Sequence, residues 1–219
     1  MVGVDVQSSA ANRRELQRAE LRAELVAAAH ALVREEGYEG LTIRKLATKV
    51  GYAPMSVYSY FADKQEILMA LAEDAFADLA RRMRRNRPDD PLEAVRAALT
   101  EYAAFGLGNP NEYRTVFMTE KQKPPAGKTF AEMESGNPAF QVIMERVEAC
   151  ISAGRLKGDA RAMATVLWTA AHGAISLLIT FPFYPFGDPK AYVMRIGDLA
   201  LAGLAASESV PLTDEPGRC

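Results

Sequence analysis

The stretch Leu41 to Lys64, LTIRKLATKVGYAPMSVYSYFADK, decides the fold. Thr42 is a good helix cap, and Ile43, Leu46, Ala47 and Val50 then recur on one helical face. Gly51 can take the left-handed backbone that ends such a helix without a Cβ penalty. Pro54 suits the first position of a second helix, expected over Pro54 to Tyr60, whose inner face would be Val57, Tyr60 and Phe61. Small Ala47 allows the two helices to cross closely. This is the spacing of a helix-turn-helix, a unit that lays its second helix in the DNA major groove.

Charge supports a nucleic-acid partner only locally. The formal net charge is -2, yet from Gly40 to Lys64 four bases (Arg44, Lys45, Lys49 and Lys64) face the single acid Asp63. DNA responds to the face it meets, so a basic patch suffices. A non-specific DNA-packaging protein, the alternative reading, would be basic throughout.

Upstream, one helix is expected from Arg13 to Glu36, with Leu21, Leu25, Ala28, Ala29, Leu32 and Val33 as its stripe and Gly37 as its stop. Residues 1–12 read as a loose tail. Arg13, Arg14, Arg18 and Arg22 either reach phosphates or form a solvated face with Glu15, Glu20 and Glu24. His30 has no second metal ligand nearby. Downstream, Asp63 caps a helix running to about Asn86, with five arginines at its far end, where cations suit the helix dipole.

One punctuation mark then repeats. Asp90-Pro91, Asn109-Pro110, Asn137-Pro138 and Asp188-Pro189 each set a cap before a first-turn proline, and Glu93 and Glu112 occupy capping-box positions. Another helix should follow Asp159. Residues 121–136 lose the helical period and read as a long loop, functional or plain. No segment alternates like a strand, so the expected class is all-α. The helix from about Ala160 to Phe181 is apolar nearly all round and must be covered on several sides. With the last helix, Pro189 to Ala205, it fits half of a four-helix homodimer interface, in which Ala170, Ala171, Gly173 and Ala174 allow close approach.

The chain of 219 residues has no apolar run of eighteen, so no membrane span or membrane partner is expected. Cys150 and Cys219 make no disulfide framework and fit a reducing cytoplasm, with Cys150 as a small core residue. Two separated histidines supply neither a nucleophile–base pair nor a metal set, so no enzyme, metal or cofactor is expected.

The central stretch resembles the DNA-binding motif of the tetracycline-repressor (TetR) family. The likeness rests on Leu41-Thr42, Arg44-Lys45-Leu46-Ala47, Lys49, Gly51, Tyr58 and Lys64, and extends through Glu36-Gly37-Tyr38 upstream and Gln65-Glu66-Ile67-Leu68 downstream. It implies a DNA-binding domain over 13–73, a helical ligand-binding and dimerisation domain over 74–206, and a tail over 207–219. By resemblance and exposure, Pro54, Met55, Ser56, Tyr58 and Ser59 would meet base edges. Arg44 matches the family's base-contacting arginine and could fork onto a guanine. Thr42, Tyr60 and Lys64 fit phosphate anchors. Ala53 departs from the pattern, because a polar cap is common there.

A looser resemblance joins Asn109-Pro110-Asn111-Glu112-Tyr113-Arg114 and Trp168-Thr-Ala-Ala-His172-Gly173 to the "WHG" type of TetR-family C-terminal domain. It implies a cavity for a small apolar effector. The candidate lining is Tyr102, Phe105, Tyr113, Phe117, Met118, Phe140, Met144, Trp168 and His172, although aromatic and methionine side chains at helical spacing also make an ordinary core. The function implied is a ligand-responsive, homodimeric repressor released from a palindromic operator on double-stranded DNA.

Overall fold

The computed structural model describes residues 5–119 and 136–207, with side chains from residue 12 onward. Among them there is no strand; the chain is a succession of helices. Helix α1 spans Asp5–Gly40 and begins eight residues before the expected Arg13. No proline or glycine lies between residues 5 and 36, so nothing stops the helix and the expected tail is helical from Asp5. Gly37 breaks the helix with φ 75°, as anticipated, and one further turn follows before Leu41.

The head is assembled by local signals. Helix α2 covers Ile43–Val50, and Thr42 Oγ1 accepts from Lys45 N at 3.2 Å. Gly51, at φ 74°, closes it through its own N–H to Thr48 O and the Tyr52 N–H to Ala47 O. Helix α3 is only Pro54–Val57, shorter than expected at its C-terminal end, where the chain passes into turns from Tyr58; Ala53 offers no side-chain cap at its start. Helix α4 runs over Lys64–Arg85 from the Asp63 cap, whose carboxylate accepts from Glu66 N at 2.9 Å.

Two apolar cores divide along α4. Leu25, Ala29, Val33, Leu46, Ala47, Val57, Phe61, Ile67 and Leu71 fill the first. Ala75, Leu79 and Met83 belong to the second, which continues through α5 (Pro91–Gly108), α6 (Pro110–Tyr113), a π-helical turn (Arg114–Met118), α7 (Pro138–Ser152), α8 (Ala160–Thr180) and α9 (Pro189–Ala206). Every Asx-Pro start lies where the sequence puts it, and Asp90, Asn137, Asp159 and Asp188 accept first-turn N–H groups. Asn109 makes no such bond. Neither glutamate works as a capping box: Glu93 pairs with Arg96, and Glu112 turns inward towards α1. Buried Arg146 ties the end of α4 to α5 through Met83 O, Asn86 O and Ala94 O.

Helix α8 is long and apolar enough by length and composition to cross a membrane. Its packing against α5, α7 and α9 accounts for the inner part of that apolar surface. Ala171 and Ala174, expected at a dimer contact, face this core instead. The outer stripe is Val166, Ala170, Gly173 and Leu177, and a Cβ at Gly173 would meet nothing. Cys150 is a buried core thiol, and burial pushes its pKa up. The expected loop over 121–136 falls, except for Gly136, outside the described residues, as do the tail beyond 207 and Cys219.

Candidate DNA interface and effector site

The candidate DNA face includes side chains left free by the folding of the head. Arg44 stands exposed near the start of α2, and its guanidinium has no partner among the described residues. Met55 is 75% exposed and Tyr58 49%, with Pro54 and Ser59 exposed beside them and Ser56 half-buried. Thr42 uses its oxygen as the α2 cap and keeps its O–H for a further acceptor.

The other bases are more committed than a count suggests. Lys45 pairs with Glu36, and Lys49 Nζ lies 3.2 Å from Glu35 Oε2. Those acids sit at the end of α1, just outside the window from Gly40 to Lys64, so the patch is less positive than the local count. Exposed pairs of this kind contribute little and can yield to a phosphate. Lys64 donates to Tyr38 O at 2.9 Å and lies 3.6 Å from the Tyr38 ring centre, and burial lowers its pKa against the pull of Glu39. Two of its three N–H groups remain for an anion.

Sequence reasoning missed how α1 supports the reading turn. Arg18 donates to Ser59 O at 3.1 Å and lies over the half-buried Tyr60 ring, while Arg22 lies over Phe61. Neither pairs with the nearby glutamates. A cleft of about 610 Å³ between α1 and the turn is lined by Arg14, Arg18, Tyr52, Ser59 and Tyr60.

Beyond the shared helix α4, an acidic side chain helps fasten the head to the C-terminal domain. Glu112 on α6 is 3% exposed; its Oε1 lies 2.6 Å from His30 Nδ1 and its Oε2 accepts from Arg34 Nε at 2.8 Å. Burial pushes this carboxyl upward, yet the bonds and charges of His30 and Arg34 outweigh it and hold the pKa below the ordinary value. His30 Nε2 stands 3.0 Å from Asp74 Oδ2 on α4, outside hydrogen-bond alignment. Asn111 adds a bond to Arg34 O.

The next residue faces the other way. Tyr113 is fully buried, and its hydroxyl lies 2.8 Å from Tyr102 Oη and 2.7 Å from His172 Nδ1. Trp168 Nε1 donates to Tyr102 Oη at 3.1 Å, and Ser176 Oγ lies 3.3 Å from His172 Nε2. Phe117 stacks on Tyr113 with ring centres 4.6 Å apart, and Phe105 packs against both. Six of the nine expected lining residues thus form one cluster. Phe140 and Met144 join the same core from α7, and Met118 stands partly exposed where the π-helical turn ends. Burial alone lowers the His172 pKa; burial raises that of Tyr102 against the pull of its bonds to Tyr113 and Trp168, and burial together with the neighbouring Tyr102 raises that of Tyr113. Ser176 was not anticipated, though its place four residues after His172 on one helix face was a usable signal.

Comparison with known proteins adds family context. Residues 25–71 match the model described as bacterial regulatory proteins, tetR family, and residues 95–199 match the tetracyclin repressor-like C-terminal domain. The chain is 34% identical over 193 residues to the HTH-type transcriptional repressor AcnR of Corynebacterium diphtheriae, covering 85% of this chain and 93% of that one. It is 27% identical over 136 residues to the class A tetracycline repressor protein of Escherichia coli, covering 62% of this chain and only 56% of that protein. The crystal structure of the regulator FadR of Bacillus subtilis, in complex with stearoyl-CoA, superposes with a TM-score of 0.67 at 17% identity, over 83% of this chain and 98% of that one. At that identity the likeness concerns the fold alone.

Proposed function

We propose, for a chain that belongs to the tetR family of bacterial regulatory proteins and so is a helix-turn-helix transcription regulator and no enzyme, a homodimeric repressor that an uptake of a small molecule releases from its operator. The observation that carries the reading is α6. Glu112 grips the DNA head through His30 and Arg34, while Tyr113 is bonded to His172 and Tyr102 within the aromatic cluster. Consecutive residues on a four-residue helix share one backbone, so a molecule that moves this backbone at Tyr113 also disturbs the grip on α1. The π-helical turn that follows is the kind of strained backbone often found at functional sites.

On this reading Arg44, Pro54, Met55, Ser56, Tyr58 and Ser59 meet base edges, while Thr42, Tyr60 and Lys64 meet phosphates. The outer stripe of α8, with Leu199 exposed on α9, forms the dimer seam and sets two reading turns about 34–36 Å apart on a palindrome. Gly173→Arg should therefore yield a folded monomer in sedimentation, because it forces unpaired charge into the contact. A wild-type monomer at micromolar concentration would contradict the seam. The effector is largely apolar, as the lining suggests, and releases DNA only by binding the non-DNA conformation better.

The test begins with operator selection from random DNA, followed by gel shifts on selected and scrambled sequence. Equal affinity for the two would favour the packaging reading. A thermal-shift screen of apolar compounds then supplies binders for operator titrations. Binders that stabilise the protein yet leave operator affinity unchanged would leave a pocket without a switch.

A further inference from the structure

The hydrogen-bond chain in the C-terminal domain has only one direction that satisfies every proton. An indole N–H can only donate, so Trp168 donates to Tyr102 Oη. Were His172 Nδ1 to donate to Tyr113, and Tyr113 to Tyr102, the Tyr102 proton would face two donors and no acceptor. The chain therefore runs Trp168 to Tyr102 to Tyr113 to His172 Nδ1, which leaves the remaining imidazole proton on Nε2. That N–H has the poorest acceptor of the series, Ser176 Oγ at 3.3 Å. Trp168, His172 and Ser176 lie four residues apart on one stripe of α8, all half-buried, whereas Tyr102 and Tyr113 are closed off beneath them. The chain thus ends, among half-buried residues, in an N–H and a neighbouring hydroxyl beside Phe117.

No charged group takes part in this chain. Its four bonds join only neutral side chains, and burial alone accounts for the lowered His172 pKa. Arg114, the next residue after Tyr113, directs one guanidinium N–H to Ile179 O towards the end of α8. The chain itself offers a carboxylate or phosphate seated against His172 only neutral donors in exchange for its hydration. An uncharged oxygen acceptor would lose little and collect two donors.

We propose that His172 Nε2–H and Ser176 Oγ–H form the polar end of the effector site, and that the effector is an uncharged apolar molecule carrying an oxygen acceptor, such as a ketone, ester or phenol, and not a carboxylate or phosphate. This rests on the C-terminal domain being the effector domain, and it names the chemistry that domain accepts.

The probes are 4-alkylacetophenone, 4-alkylphenol and 4-alkylbenzoate, each with a propyl and a hexyl tail, titrated calorimetrically into the full chain near neutral pH. The two uncharged series should bind, and the benzoates should bind about tenfold or more weakly at matched tail length. His172→Leu should weaken the acetophenones by about tenfold, and Ser176→Ala by less. Since the chain has only His30 and His172, ¹⁵N-histidine spectra of the unaltered protein supply a readout independent of variants. Acetophenone should shift His172 Nε2 and leave His30 in place. Benzoates binding as tightly as the uncharged probes, an unmoved His172 resonance, or no binding across the six probes would each overturn the proposal. Uncharged probes that bind as stated but leave operator affinity unchanged would overturn the switch while sparing the site.

Discussion

The two ends of this molecule treat polar side chains in opposite ways. Around α2 and α3 the structure keeps part of them available: Arg44 has no partner among the described residues, Lys45 and Lys49 hold only exposed pairs, and Met55 and Tyr58 project from the short helix and the turn after it. Around α8 it spends them on one another, from Trp168 through Tyr102 and Tyr113 to His172 and Ser176. A surface that meets DNA gains by keeping donors available for bases and phosphates. A buried site has no such freedom, because each unsatisfied polar group there costs free energy whether or not a ligand is bound. Between them stands Glu112, buried like the second region yet bonded to the first.

The largest expected effect sets two tyrosines against each other. Tyr113→Ala should cost about 3–5 kcal/mol of stability in chemical denaturation, since it empties a closed aromatic site. Tyr58→Ala should change stability by no more than about 0.5 kcal/mol and act on operator affinity instead. Similar losses of stability at both positions would erase the contrast.

Glu112→Gln comes next, at about 1.5–3 kcal/mol, as befits hydrogen bonds to charged partners. Its pH dependence has a definite sign. The folded carboxyl titrates below its ordinary value, so its contribution is present above the unfolded pKa and fades as pH falls through the folded one. Wild type and variant should therefore converge in stability on acidification. A difference that grows towards low pH would refute the ionised grip.

Arg44→Ala should cost about 1–3 kcal/mol of operator binding and relax preference at one base pair. Equal loss on matched and scrambled DNA would reassign it to the backbone. The smallest effect belongs to Lys64→Ala, which should weaken all sequences alike and lower the salt slope by about one. An unchanged slope would mean that its ammonium serves Tyr38 alone.

The same contrast explains what could be read from the sequence. The head is built from signals that act within a few residues: Thr42 and Asp63 as caps, Gly51 as a stop, Pro54 as a start. The Asx-Pro starts of the C-terminal helices are equally local and fall where expected. Glu112 is the instructive failure. Its position three residues after Asn109 suits a capping box, yet the buried His30 and the exposed Arg34, some 80 residues earlier in the chain, offer it stronger partners. Lys45 and Lys49 went the same way, their charges matched by acids on a different helix. Which aromatic residues share a polar chain likewise depends on how α5, α6 and α8 converge, and periodicity within one helix does not encode that. Ala174 and Gly173 are neighbours in sequence, but their faces were separable only once α5, α7 and α9 had been placed around α8.

The central claim is that α6 carries the state of the aromatic site to the DNA head. The most direct measurement is the affinity for the selected operator with and without a saturating amount of the tightest apolar binder, in wild type and in Glu112→Gln. We expect the compound to weaken operator binding at least tenfold in wild type, about 1.4 kcal/mol of coupling, and the compound itself to bind the operator complex more weakly by the same factor. In Glu112→Gln the coupling should shrink while the compound still binds. A coupling of the same size in both proteins would contradict the account, because the signal would then reach the head without passing through Glu112.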